Sequence, residues 1–204
     1  MIVMLDTSED LDVCAKELGG LEVEELLTPL TGRTPKKPAQ RFAIDNGAFA
    51  KFSPKRFESL LKRELPRRDL CRFVAVPDVV GSALRTIEVF ERWKNRECLS
   101  GWPLAFVCQD GQENLPISWD DITAIFIGGS TEWKVSHHAA ACIKAAKALD
   151  KWVHVGRINT AARYEHFEAL GADSCDGTGI GRYTRSRVKL QQGLKDRQVS
   201  FLPS

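Results

Sequence analysis

Three aspartates, Asp45, Asp78 and Asp176, each end a short apolar run in a chain of 204 residues. The runs are Phe42-Ala-Ile-Asp45, Phe73-Val-Ala-Val-Pro-Asp78 and Ala172-Asp-Ser-Cys-Asp176. One such aspartate is ordinary turn or helix-capping chemistry. Three, joined by Gln109, by Gly128-Gly129 and by Gly156-Arg157 at the ends of three further runs, make a polar rim of one type. Such a rim reads as a pocket, because buried carboxylates cost free energy unless they are paired or hydrogen-bonded. Two carboxylates suffice for chemistry at a glycosidic carbon. One traps or stabilises an oxocarbenium-like state, and the other moves protons. A carboxylate, a carboxamide and backbone amides together can meet the donor and acceptor edge of a flat ring, which two successive glycines allow to approach closely.

The elements that must position these residues follow one grammar. The apolar runs near 41–45, 72–78, 103–109, 122–128 and 152–156 are short and nearly continuous, as for strands buried on both faces. A sixth, at 172–176, is weaker. Amphipathic stretches at about 54–65, 82–96, 134–149, 160–170 and 185–196 carry helical spacing. Pro54 after Ser53, and Thr160 after Asn159, mark helix starts, and Gly171 marks a stop. The link 110–121 holds Pro116 and is expected to be a turn. Residues 1–5 predict a strand leading to a helix at 8–18. A further strand within 21–31 is weakened by Glu22, Glu24 and Glu25. Alternating β and α units imply a parallel sheet. Both a (β/α)8 barrel and an open doubly wound sheet fit, and both place ligands at the carboxyl ends of strands.

Composition excludes several classes. At 43% hydrophobic the chain is not globally disordered, and no apolar run nears the ~20 residues that cross a bilayer. Met1–Leu5 is cut short by acids, so no secretory signal is read and a cytoplasmic location is expected. The six cysteines never form a C-x-x-C pair and the four histidines do not cluster, so neither a metal nor a cofactor is expected. Reduced, buried thiols are the expectation.

Taken in order, Ile-Asp45-Asn-Gly-Ala-Phe49, Pro-Asp78, Cys-Gln109-Asp-Gly, Ile-Gly128-Gly129-Ser, Val155-Gly156 and Cys175-Asp176 resemble the landmarks of the tRNA-guanine transglycosylases. The resemblance runs from about Phe42 to Asp176. It implies a compact single-domain (β/α)8 barrel over 1–204, with 177–204 a basic loop and helix. It further implies exchange of guanine for a 7-deazaguanine in nucleic acid. Carried over, Asp176 is the nucleophile and Asp45 the general acid/base. Asp78, Gln109, Gly128, Gly129, Asn46, Val155 and Gly156 hold the base. Asn46, Ala48 and Ala50 depart from the family's Ser, Gly and Gln, and the segment after Asp176 reads Gly-Thr-Gly-Ile-Gly-Arg. The family's cysteine-rich zinc motif is absent, which favours the branch that acts on DNA over the one that acts on tRNA.

Net charge is only +2, but basic residues gather at 51–72 and 182–197. Arg157, Arg182, Arg185 and Arg187 are the expected phosphate contacts. Trp133 and Tyr183 are candidates to stack on a base. A target inside a duplex must leave the stack, so single-stranded DNA, or an accessory protein that opens the duplex, is the expected partner. A hydrolase releasing a purine-like base, a non-catalytic nucleic-acid-binding barrel and a barrel acting on a small phosphorylated metabolite remain alternatives. Gly177-Thr-Gly179-Ile-Gly181 lacks the Lys-Ser/Thr of a phosphate-binding loop and is expected to be a flexible loop.

Overall fold

In the computed structural model, residues 1–7, 9–32 and 39–200 are described, with side chains through residue 197. Eight strands pair in parallel, in chain order, and close on themselves. They are β1 (Ile2–Leu5), β2 (Val23–Leu27), β3 (Phe42–Ile44), β4 (Cys71–Ala75), β5 (Leu104–Cys108), β6 (Ala124–Ile127), β7 (Trp152–Val155) and β8 (Ser174–Asp176). Around them run α1 (Leu11–Glu17), α2 (Pro54–Glu64), α3 (Ala83–Trp93), α4 (Thr131–Lys134), α5 (His137–Ala148), α6 (Ala161–Ala169), α7 (Thr178–Arg182) and α8 (Thr184–Ser200). The closed barrel decides between the two architectures left open by the sequence. The ring closes through β1 and β8, where Met4 is in register with Asp176.

Alternation along each strand sorts the side chains into two cores. Met4, Leu26, Ala43, Phe73, Ala75, Ala105, Val107, Ala124 and Phe126 fill the barrel interior. Val3, Leu5, Ile44, Val74, Cys108, Ile125, Val153 and Cys175 face the helices, where they meet Phe57, Phe90, Ile143 and Phe167. The same parity carries the sites: two residues past Ala43 is Asp45, two past Val107 is Gln109, two past Phe126 is Gly128 and two past Ser174 is Asp176. All therefore reach the carboxyl end of the barrel, where catalytic residues of this architecture gather.

β2 forms despite its glutamates because both are neutralised. Glu24 and Glu25 are 2% and 5% exposed. Glu24 takes a two-pronged contact from Arg72, at 2.6 and 3.0 Å, and Arg67 reaches Glu25 at 3.1 Å and Glu64 at 3.0 Å. Arg67 and Arg72 thus belong to the amino end of the barrel, opposite the pocket, and not to a phosphate rim.

The helix expected over 134–149 is α5, preceded by the one-turn α4, which ends at Val135. Ser136 caps α5, accepting from the His138 amide. The 110–121 link holds two 3-10 turns, Gln112–Asn114 and Trp119–Asp121. The glycine-rich segment after Asp176 is not a loose loop but α7, with Ile180 and Gly181 buried. Helix α8 packs on α1, α6 and α7, and the end of the expected basic tail, 201–204, lies outside the described residues. All six cysteines are free thiols, four of them buried. No described helix is long and apolar enough to cross a membrane.

Candidate active site

The carboxyl end of the barrel opens into a cleft with two lobes. The larger, about 300 Å³, is lined by Asp6, Thr28, Leu30, Lys51, Arg56, Gly181 and Arg182 among others. The smaller, about 150 Å³, is lined by Asn46, Ala75, Asp78, Val107, Gln109, Phe126, Gly128, Gly129, Gly156 and Arg157. Asp45, Phe49, Asp176 and Thr178 line both lobes. The two carboxylates expected to do chemistry therefore stand on the wall the lobes share.

Asp176 has a hydrogen bond on each oxygen. Oδ2 lies 3.0 Å from His154 Nε2, and Oδ1 accepts from the Arg157 amide at 3.1 Å. Arg157 holds a left-handed backbone (φ 63°), a conformation that costs a non-glycine residue free energy and persists where surroundings enforce it. Here its amide grips Asp176, its guanidinium donates to the Gly129 carbonyl and also lies 4.7 Å over the Phe49 ring.

Asp45 is placed by its own amide, which donates to the Leu27 carbonyl at 2.8 Å, and its Oδ1 accepts from Gly47 at 2.8 Å. Gly47 has φ +76°, and a Cβ there would press on the Pro29 ring at 3.1 Å, so glycine suits this turn. Burial pushes the Asp45 carboxyl up to about 7. The Gly47 bond opposes that shift, and the nearby charges of Asp176, Asp78 and Asp6 add to it. A carboxyl at that value can both give and take a proton near neutrality.

In the smaller lobe a carboxamide net fixes Asp78. Asn46 Nδ2 donates to Asp78 Oδ1 at 2.9 Å and Gln109 Nε2 to Oδ2 at 2.7 Å. Asn46 also donates to the Val76 carbonyl and accepts from Ala48, while Gln109 Oε1 accepts from the amides of Gly81 and Gly129. Burial raises the Asp78 carboxyl even so, against the lowering effect of Asn46 and Gln109. The glycines serve this net. A Cβ on Gly128 would lie 2.7 Å from Gln109 Nε2, and one on Gly129 (φ +64°) would lie 2.5 Å from Trp133.

Measured against the sequence, the structure brings together Asp45, Asn46, Asp78, Gln109, Gly128, Gly129, Gly156, Arg157 and Asp176. It corrects two expectations. Val155 lines no pocket: it alternates with inward His154 and is fully buried against the helices. Arg187 does not meet phosphate. It is fully buried, bonded to Glu9 and Glu17 at 2.5 Å each and to the Ile180 carbonyl at 2.9 Å. Arg182 and Arg185 are exposed; Arg182 borders the larger lobe, and Arg185 lies 5.5 Å over Tyr183. Asn46 borders the smaller lobe, but its amide is fully engaged and positions Asp78. Trp133 is buried, with its Nε1 on Glu113 at 2.9 Å.

The sequence reading missed Phe49 as a wall of the cleft, though 69% of it is exposed. It also missed Asp6, His154 and Lys134. Lys134 is buried and donates to the Gly156 carbonyl; burial, then the Arg157 charge, lowers its ammonium to about 8. Among the described residues no group of three or more His, Cys, Asp or Glu could hold a metal ion.

No family model and no curated protein matches the chain. Among solved structures it is similar to one described as native KDPGal structure, at 15% identity and a TM-score of 0.45, over 98% of this chain and 96% of that one. A cube-shaped, highly porous designed protein cage, built by fusing symmetric oligomeric domains, is similar at 15% identity and 0.42, over 98% and 73%.

Proposed function

We propose that this chain is an enzyme, a base-exchange transglycosylase that replaces guanine with a 7-deazaguanine in nucleic acid, DNA rather than tRNA. One observation carries the reading: Asp45 and Asp176 line both lobes of the cleft, so a bond between a base in one lobe and a sugar in the other lies against both carboxyls. The smaller lobe offers Asp78 and glycine backbone beside the flat faces of Phe126 and Phe49, a match for a purine-like base. The larger lobe puts Lys51, Arg56 and Arg182 at its border, where the sugar's phosphates would lie.

The steps balance with these groups alone. An Asp176 oxygen attacks the anomeric carbon as the carbon–nitrogen bond breaks. Asp45, protonated near neutrality, gives its proton to the departing base. A glycosyl ester on Asp176 remains, and the free base leaves the smaller lobe. The incoming base takes its place and loses a proton to the Asp45 carboxylate. Its ring nitrogen then attacks the anomeric carbon and releases Asp176. A base in the smaller lobe has left its stack, which costs a few kcal/mol in a duplex and less in a single strand. Single-stranded DNA, or duplex opened by an accessory protein, is the substrate this favours.

The test is incorporation of labelled guanine into duplex DNA, single-stranded DNA and tRNA by the wild type and Asp176→Ala. Incorporation into DNA that vanishes in the variant supports the reading. Release of free base without incorporation replaces it with hydrolysis, and binding without either reaction replaces it with a non-catalytic barrel.

A further inference from the structure

Asp176 is held from inside the barrel as well as from the cleft. His154 is fully buried on β7, and besides its 3.0 Å contact with Asp176 Oδ2, its Nδ1 lies 2.8 Å from Ser174 Oγ. Ser174, also fully buried, lies 2.9 Å from the indole Nε1 of Trp152. Donor chemistry sets the direction of this chain. An indole N–H only donates, so Ser174 Oγ accepts from Trp152. A carboxylate only accepts, so in the neutral ring the nitrogen facing Asp176 carries the hydrogen and Nδ1 is left to accept from the Ser174 hydroxyl. The imidazole proton then sits on Nε2, aimed at the carboxylate. The ring is held in that plane by Phe126 and Phe73, at 4.6 and 5.1 Å between centroids.

We propose that His154 is a positioning residue for Asp176. Through the Trp152–Ser174–His154 chain it fixes the carboxylate's orientation. The assignment of Asp176 as nucleophile rests on the base-exchange reading; the hydrogen-bond chain does not. While the glycosyl ester forms, the imidazole N–H holds the carboxylate in line. When the ester breaks, the same N–H meets the charge that returns to the oxygen.

Other charged groups lie around Asp176 as well: Asp45 on the same shared wall, Asp6 in the larger lobe, Arg157, and Lys134 behind Gly156. The test must leave these alone. His154→Phe keeps a ring between Phe73 and Phe126 and removes the donor, whereas His154→Gln returns an N–H at similar reach. In the Phe variant the kcat for base exchange should fall by about 100-fold, as when one preorganised donor is lost. KM for the incoming base should stay within about twofold, since the Asp78 lobe is untouched. The Gln variant should recover most of the rate.

The Asp176 carboxyl is also followed by carbon NMR at neutral pH without substrate, where loss of the donor should shift its resonance and the Gln variant should restore it. An unmoved resonance in His154→Phe overturns the proposal. So does an equal loss of rate in both variants, the signature of packing alone. Because the spectrum needs no substrate, wild-type protein that exchanges no base fails the base-exchange reading while this measurement still decides the role of His154.

Discussion

The two lobes of the cleft are built on opposite plans. In the smaller one, nearly every polar atom is already engaged: Asn46, Gln109, Gly81 and Gly129 converge on or around Asp78 before any ligand arrives. The larger one is bordered by the exposed side chains of Lys51, Arg56 and Arg182 and by Leu30, 67% exposed. A preorganised net costs little to bind a rigid, flat ligand and rejects others, because displaced polar groups would be left unpaired. Long exposed cations adapt to a chain whose charge matters more than its outline. The difference teaches that, under the proposed function, identity would be read on one side of the carboxylates and polymer on the other.

That comparison can be broken in five ways. The largest effect is expected at the seam: Asp176→Ala should lower base exchange by about 10⁴-fold whatever polymer is offered, as when a nucleophile is removed. Single-turnover assays with each polymer check it, and a loss confined to one polymer would place Asp176 in one lobe only.

Asp45→Asn should lower the rate by about 10²- to 10³-fold, and it should also change stability in a pH-dependent direction. The folded carboxyl sits at about 7 against 3.8 in the unfolded chain. The folded state therefore holds the proton longer. Stability from this group is full below about pH 3.8, falls as pH rises toward 7 and is lowest above it. The full span is at most about 4 kcal/mol, less because the carboxyl is only part-buried. Thermal unfolding of the Asn variant should match wild type near pH 4 and exceed it at pH 8.

Asp78→Asn should raise KM for the incoming base by about 30-fold, the loss of roughly 2 kcal/mol of a charge-assisted bond, with KM for DNA little changed. Steady-state titration of each substrate separates the two. Replacing both Lys51 and Arg182 with Ala should do the reverse. DNA affinity should fall about 10-fold and the slope of log affinity on log salt should drop by up to about two. Arg187→Met, in the same basic stretch, should leave that slope unchanged while lowering thermal stability, because it strands Glu9 and Glu17.

The barrel was legible because the apolar runs end in polar or glycine residues, and Asp45, Gln109, Gly128 and Asp176 share the inward parity of their strands; Asp78, three residues past inward Ala75, reaches the cleft through the turn after β4. β2 was obscured by Glu24 and Glu25, whose partners Arg72 and Arg67 lie over 40 residues away in sequence, a long-range pairing that local pattern cannot show. Arg187 was legible in principle: it stands three residues before buried Leu190 and seven before part-buried Leu194, on the apolar stripe of α8. Counting charge in the segment without its helical phase put it on the surface. His154 was hidden differently. Its parity with Gly156 already turned it inward, but only closure of β7 against β8 sets it beside Asp176.

The two shortest strands of the barrel, β3 and β8 with three residues each, are the ones that deliver Asp45 and Asp176. They are not neighbours; β1 and β2 stand between them. A ligand gripped by both carboxyls would act as a rung across that gap, tying together the ring's thinnest spokes from above. Its occupancy would be recorded in the backbone amides of these strands, which should exchange with solvent more slowly when the cleft is filled. The barrel would then resist opening most at the moment it performs its chemistry.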